Sequence, residues 1–252
     1  MTDPSPLSGP FIELQSVDST NNYARSLIAR GKASHGTAIF AQDQLKGKGQ
    51  RGRHWVTEKD AGVSLTVVLE PRKAAVTELF SISACVATAA TELLAGVGID
   101  ARIKWPNDLY FADRKLGGIL IENVFSAGTE QGTWNWSVAG IGINVNQEWF
   151  PPELPNPVSV KQITGVAQDP RQLALELCRI LERRLRMMQQ QGFAAVLEEY
   201  NHLLYRKDEK VRLRKENRVF DATLCGVSAA GKLVVRHVLE EEFSFEEVEW
   251  LK

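Results

Sequence analysis

The chain has 252 residues, of which 44% are hydrophobic and 24% charged, and its 30 Lys+Arg nearly balance 31 Asp+Glu. These values exclude global disorder and a generally basic nucleic-acid binder, though not a local anion site. The length suits one large domain, or a large one plus a small one, and is sufficient to bury a core without disulfides or a structural metal.

The first ten residues, MTDPSPLSGP, read as a loose polar arm and not as a signal peptide. Phe11–Val17 is the first predicted strand. Asp18, Ser19 and Thr20 offer N-cap side chains to a helix over Asn21–Arg30 that Gly31 stops. Thr37–Ala41 is a short buried strand. The polar, glycine-punctuated stretch 42–59 reads as a long loop without regular structure, a feature usually functional or mobile.

Val63–Leu69 is a strand stopped by Pro71, and Lys73–Ala95 follows a helical period. Ala101–Lys104 and Gly118–Val124 are strands joined through Pro106 and Asn107. Trp134–Asn144 is another strand, and four prolines between 151 and 157 mark an irregular crossing. Asp169-Pro170 starts a helix with Leu173, Leu177, Ile180, Leu181, Leu185 and Met188 on one face, and a second helix carries Phe193 to Leu204. Val211–Leu213, Val219–Val227 and Lys232–Val238 then suggest a small antiparallel barrel. A boundary near residue 205 separates two predicted domains, 1–205 and 206–252. The acidic run Glu240–Glu249 reads as an edge strand with a solvated face. The longest apolar stretches, such as Ala84–Ala90, read as too short to span a bilayer. Cys85, Cys178 and Cys225 lie far apart with no CxxC pair, so neither a disulfide framework nor a zinc cluster is expected.

Four segments bear chemistry. Lys46 to Trp55 (KGKGQRGRHW) holds four cations and three glycines without an acid. Glycine lets backbone N–H groups approach a ligand, and Lys and Arg add charge-assisted bonds to phosphate. A solvated basic loop or a nucleic-acid patch has the same composition, and neither a Walker loop nor a dinucleotide fingerprint is present. KWPND (104–108), taken alone, reads as a structural turn before it reads as a site. In KLGGILIE (115–122), Lys115 enters an apolar strand through two glycines, as either an anion-binding point charge or a lysine at a strand end. GIGINVN (140–146) offers glycines against which a flat ligand, or a sheet bend, could lie. The four histidines assemble into no catalytic or metal set.

Taken in order, Ser19-Thr20-Asn21, Gln44, GKGQRGRHW, KWPND, KLGGILIE and GIGINVN make the chain resemble the biotin protein ligases, over about residues 11–146 and, through the C-terminal barrel, nearly the whole chain. The resemblance implies an α+β fold: a mixed β-sheet flanked by helices, like class II synthetases, with a small SH3-like barrel behind it. It implies activation of biotin to biotinoyl-5′-AMP by ATP, with Mg²⁺ carried on the nucleotide, then transfer to a lysine of a carrier domain of a biotin-dependent carboxylase. Ser19, Thr20, Asn21 and Gln44 would meet biotin, together with Gly47, Lys48, Gly49, Gln50, Lys115, Gly118 and Gly140. Lys48, Arg51 and Arg53 would hold the triphosphate, and Lys115 would sit between biotin's carboxylate and the α-phosphate. Trp55, Lys104, Asn107, Asp108 and Asn144 would complete the ATP side. Asp108 and Asn107 are weaker candidates for orienting Mg²⁺, water or Lys104.

The polar start, the scattered cysteines and the short apolar stretches make a reducing, cytoplasmic compartment without membrane contact the expectation. With only about ten residues before the first strand, no DNA-binding domain like that of larger family members is expected, while a homodimer stays open. Residues 45–56 are expected to be mobile without ligand. A lipoate or octanoate enzyme of the same fold and a non-catalytic biotin sensor are the alternatives.

One departure from the family pattern GRGRxGR stands out: Lys48 and Gln50 occupy positions where arginine is usual. Lys48 keeps the charge without the bidentate fork, and Gln50 loses it. If arginine at position 50 retains the adenylate in the family, Gln50→Arg should slow release of biotinoyl-AMP. Equal release rates for the variant and the wild type would refute this.

Overall fold

The computed structural model describes residues 7–71, 79–126 and 133–251. The apolar runs of the first half become short strands on one sheet, because alternate residues of each find cover on both faces. In chain order these are β1 (Phe11–Leu14), α1 (Thr20–Ala29), β2 (Ala38–Ala41), β3 (Gly47–Lys48), a 3₁₀ turn (Gln50–Gly52), β4 (His54–Trp55), β5 (Gly62–Leu69), α2 (Leu79–Gly96), β6 (Arg102–Lys104), β7 (Asp108–Phe111), β8 (Arg114–Ser126) and β9 (Thr133–Asn144). α3 (Val160–Thr164), α4 (Pro170–Gln191) and α5 (Phe193–His202) follow, then β10 (Lys210–Lys215), β11 (Arg218–Val227), β12 (Leu233–Arg236), β13 (Glu240–Phe243) and β14 (Glu249–Leu251).

Seven strands form a mixed sheet in the order β1-β2-β5-β9-β8-β7-β6, parallel only between β1 and β2. On one face Val63, Leu65, Val67, Ala139, Ile141 and Ile143 join α2, α4 and α5 in the main core. On the other, Ile39, Val68 and Val138 meet Ala24 and Leu27 of α1. The period of two therefore turns Thr66, Gly140 and Gly142 toward the α1 side, and this is the face on which the site is built.

α4 begins as its sequence demands. Asp169 accepts from the backbone N–H groups of Arg171 and Gln172, and Pro170 fills the first turn. Its buried side chains, including Leu173, Leu177, Ile180, Leu181 and Leu185, form the expected face. The five-residue α3 carries a capping box between Ser159 and Gln162, which the sequence reading overlooked.

Several expectations need correction. The stretch 42–59 is not structureless: β3 and β4 pair as a small antiparallel hairpin around the 3₁₀ turn. The strands at 102–104 and 118–124 are not directly joined, because β7 lies between them and pairs with both. The first strand stops at Leu14, although Val17 still bridges to Gln44. Residues 73–78 of the predicted helix lie outside the described residues. α2 is long and apolar enough by length and composition to cross a membrane, so the reading of short apolar stretches was too narrow. Two thirds of that helix is buried inside the fold, where its apolar surface is already covered.

The C-terminal strands form a second, antiparallel sheet in the order β13-β12-β11-β10-β14, with β13 at the expected acidic edge. Asn201 of α5 clasps the backbone of Val227 from both sides, accepting from its N–H at 2.6 Å and donating to its C=O at 3.0 Å. Trp105, 3% exposed, donates its indole N–H to the carbonyl of Gly231 at 2.9 Å.

All three cysteines are free. Burial pushes the Cys85 and Cys178 thiols up to about 12, whereas Cys225 is half-exposed at the β11 bulge. Because the thiolate is the reactive form, a disulfide reagent at pH 8 should modify one thiol per native chain and all three after denaturation. Rapid modification of Cys85 or Cys178 in the native protein, located by peptide mapping, would contradict this packing.

Candidate active site

Beyond the patch that packs against α1, the central strands carry glycines on this face of the sheet. Gly142 of β9 pairs with Gly118 of β8, which pairs with Asp108 of β7, and one row away Thr66, Gly140 and Leu120 lie side by side. Above this floor is a cavity of about 340 Å³. It is closed by the β3–β4 hairpin on one side and by the segment 150–157 and residues 245–250 on others.

One end is polar and fully wired. Gln44 accepts from the backbone N–H and the hydroxyl of Thr20, at 2.9 and 3.0 Å. That fixes the Gln44 amide with its carbonyl toward Thr20, so its NH₂ is left as a donor. Thr66, fully buried, hydrogen-bonds both the Thr20 hydroxyl and the Asn21 carbonyl at 2.7 Å. Asn21 in turn donates to Glu122 at 2.8 Å, and Glu122 accepts from Arg25 at 3.1 Å. Ser19 occupies the N-cap position of α1 without using its side chain as a cap, and lies on the cavity wall.

At the centre, the register slip between β7 and β8 turns Lys115 onto the same face as Gly118. Its ammonium donates to Asp108 at 2.6 Å, and both side chains remain partly open to the cavity. The backbone of Lys115 is pinned from behind, its N–H donating to Asn156 and its C=O accepting from Val158. Trp55 of β4 packs flat enough on the floor that a Cβ on Gly142 would sit 2.5 Å from its ring.

The mouth is cationic. Lys48 and Arg53 make no side-chain hydrogen bond or ion pair with the described residues, whereas Arg51 is engaged by Phe245: its guanidinium lies 4.1 Å from the ring centroid and donates to the Phe245 carbonyl at 2.9 Å. Lys104 stands among Tyr110, Tyr205 and Trp250, with its ammonium 4.7, 6.0 and 5.5 Å from their ring centroids. Burial, with Asp108 adding to it, pushes the Tyr110 phenol up to about 12, so beside Lys104 it stays neutral. Among the described residues four buried side-chain polar atoms have no hydrogen-bond partner, and three of them, Gln50 Oε1, Trp55 Nε1 and Trp250 Nε1, belong to residues on this cavity. Polar atoms left in this state mark a place where a ligand or water completes the bonding.

Of the residues singled out from sequence, Ser19, Thr20, Asn21, Gln44, Lys48, Gly49, Gln50, Arg51, Arg53, Trp55, Lys104, Asn107, Asp108, Lys115, Gly118, Gly140 and Asn144 all line the cavity. Gly47 does not: a Cβ there would strike the Trp55 carbonyl at 2.4 Å, so its role is to let the hairpin close. Gly140 does not make room for a ligand either, since the space above it holds Asn21, 2.4 Å from where a Cβ would stand. Asn107 donates its side-chain N–H to the Ile119 carbonyl at 2.8 Å. Asn144 ties β9 to the Val158 carbonyl at 3.0 Å. Within residues 45–56, β3 and β4 are paired and Arg51 at the turn contacts Phe245. Thr66, Glu122, Phe245 and Trp250 were missed. The one signal for Thr66 is a lone hydroxyl within VSLTVVL, and Phe245 is an aromatic among acids.

Residues 13–139 match the model of the biotin/lipoate A/B protein ligase family. Among curated relatives, the bifunctional ligase/repressor BirA of Salmonella typhimurium is 31% identical, covering 90% of this chain and 70% of its own length. The Escherichia coli protein of that name is 34% identical, and this chain spans only 59% of it. A biotin–[acetyl-CoA-carboxylase] ligase of Paracoccus denitrificans is 29% identical, covering 88% of this chain and 92% of its own. Among solved structures, the biotin protein ligase of Aquifex aeolicus in complex with biotin and ATP superposes with a TM-score of 0.80 at 26% identity, covering 96% of this chain and 98% of that one. With half of its length matched by the family model and a full-length likeness of this kind, the chain belongs to the biotin/lipoate A/B protein ligase family.

Proposed function

We propose that the protein is an ATP-dependent biotin ligase that forms biotinoyl-5′-AMP and passes the biotinoyl group to a lysine of a carboxylase carrier domain. The observation that carries this reading is the position of Lys115. It stands on a glycine floor between the wired polar end at Thr20 and Gln44 and the cations of the hairpin, held there by Asp108.

In the first step a carboxylate oxygen of biotin attacks the α-phosphorus of ATP and pyrophosphate leaves. Two anions must approach each other, and the attack builds further charge on the phosphoryl oxygens. A lysine fixed by an ion pair on one side and by its own strand on the other supplies that compensation without moving, which is electrostatic preorganisation. Gln44, with its carbonyl already satisfied, offers an amide donor to the ureido oxygen, and Ser19 a hydroxyl. Lys48 and Arg53, unpaired with other described residues, suit the departing pyrophosphate. In the second step the carrier amine attacks the acyl carbonyl and AMP leaves. No covalent enzyme intermediate is required, so orientation carries much of the work. In this reading Mg²⁺ would be carried by the nucleotide substrate, and Asp108 is the carboxylate beside Lys115.

In this reading residues 1–205 form the catalytic domain and 206–252 the small barrel, which lends Phe245 and Trp250 to the wall. We place the protein in the cytoplasm, where its substrates are found and where unpaired cysteines are ordinary. Biotin-dependent ATP–pyrophosphate exchange, followed by labelling of a purified carrier domain, tests the assignment. Exchange driven by lipoate or octanoate instead would favour the alternative chemistry of the family, and biotin binding without exchange would make the protein a sensor.

Lys115→Ala should lower biotin-dependent exchange by about 10²–10³-fold, the size of effect expected when one preorganised donor is removed, with the circular dichroism spectrum unchanged. An exchange rate within a few-fold of wild type would remove Lys115 from the chemistry. Gly140→Ala should raise the KM for biotin more than that for ATP, because its methyl group displaces Asn21 and not the cationic hairpin. Equal increases for both substrates would contradict that division of the cavity.

A further inference from the structure

The basic hairpin is fastened to a residue that belongs to neither the hairpin nor the large sheet. Arg51 sits at the tip of the turn with a left-handed backbone, φ 55° and ψ 37°. From there its guanidinium lies over the ring of Phe245 and donates to the same residue's carbonyl, two contacts with one partner. Phe245 is itself seated: its ring meets Trp105 edge to face, with centroids 5.8 Å apart and planes at 76°. The turn that carries it is closed by a bond from the Ser244 N–H to Glu247 at 2.6 Å. Trp105 is buried, bonded to Gly231, and three residues before Asp108, the partner of Lys115. One line of contacts thus runs from the hairpin tip through Phe245 to the turn that orients the central lysine.

We propose that Phe245 is a positioning residue: it holds Arg51, and through it the hairpin, closed over the cavity, and so sets how long the activated intermediate stays bound. The proposal rests on the ligase reading above. It gives the C-terminal segment a part in retention that does not require an arginine at position 50. The aromatic face and the carbonyl contribute separately. Any residue at 245 supplies the carbonyl, but only an aromatic ring supplies the quadrupole that attracts a guanidinium.

The hairpin carries four trypsin sites, Lys46, Lys48, Arg51 and Arg53, so its opening is readable without any substrate. Phe245→Ala should raise the rate of tryptic cleavage within residues 46–53 of the free protein by about fivefold, the equivalent of losing one cation–π contact, with the thermal unfolding midpoint little changed. It should also speed release of preformed biotinoyl-AMP by a similar factor, measured by chase with unlabelled biotin, while the initial rate of adenylation at saturating substrates falls less. Phe245→Tyr should restore both rates and Phe245→Leu, which keeps apolar bulk without the quadrupole, should not. Full rescue by leucine, or unchanged cleavage and release in Phe245→Ala, would overturn the proposal. If Phe245→Ala loses its cooperative unfolding transition, the comparison of leucine with tyrosine decides alone. A wild-type protein that makes no adenylate would refute the ligase reading and leave the cleavage result to stand or fall by itself.

Discussion

The site depends on a place where the sheet has no side chains. Gly118 and Gly142 face each other across β8 and β9, and Gly140 follows one row on. A seven-stranded sheet with α1 on this face would normally fill the space between them with branched residues. Here three missing side chains let Trp55 lie on the strands and Asn21 enter above Gly140. Glycine in a strand weakens it by costing backbone entropy and contributing no packing. That loss is tolerated because the opposite face of the same strands, through Ala139, Ile141 and Ile143, is among the best-buried parts of the core. The cavity is therefore supported from below by packing and shaped from above by absence.

Two kinds of polar order then divide the cavity. At the Thr20 end the hydrogen bonds run within the protein: Gln44 accepts from Thr20, Thr66 bonds Thr20 and Asn21, and Asn21 donates to Glu122, so the donors they leave over have fixed directions. A fully connected network in a low-dielectric setting is rigid, and rigidity is what discrimination between small neutral ligands requires. At the mouth the order is open. Lys48 and Arg53 make no side-chain hydrogen bond or ion pair with the described residues, and Arg51 makes an exposed cation–π contact worth only about 0.5–1 kcal/mol beside one hydrogen bond. Such a closure costs little to open, whereas the Thr20 end is held by several bonds at once.

How much of this could be read in the sequence follows from range. α4 was legible because its cap, its proline and its apolar face lie within 22 consecutive residues. The chemistry-bearing segments were legible as segments, since KGKGQRGRH and KLGG carry their cations and glycines locally. What was hidden is what each segment touches. Gly140 was read as room for a ligand, but its occupant is Asn21, more than a hundred residues earlier, and no local pattern records that contact. β7 and the β3–β4 pair were missed because strands of four and two residues are too short to show a period. They exist because a longer neighbour or a closed turn supplies their hydrogen bonds. Phe245 lay inside a run of acids whose charge masked the one residue of that run whose ring stacks on Arg51.

Gln50 acquires a physical meaning from this arrangement. An arginine there would add a fifth cation to the ten residues 46–55, and two like charges about 4 Å apart repel by about 1 kcal/mol even in water. The closed hairpin would then have to hold Lys48, Arg51 and Arg53 beside it until an anion arrives. Glutamine removes that repulsion, so closure over Phe245 costs less in the free protein, but it also removes a charge from the bound state. The two effects act on opposite sides of the binding equilibrium. Arginine at 50 strengthens retention only by making the closed form depend more on the ligand, since an anion that binds the closed hairpin stabilises it by mass action. Glutamine shifts that dependence onto the protein's own contact between Arg51 and Phe245. The near-neutral charge of the whole chain hides this trade, because it is settled within a few ångströms by four cations, one aromatic ring and the absence of one more arginine.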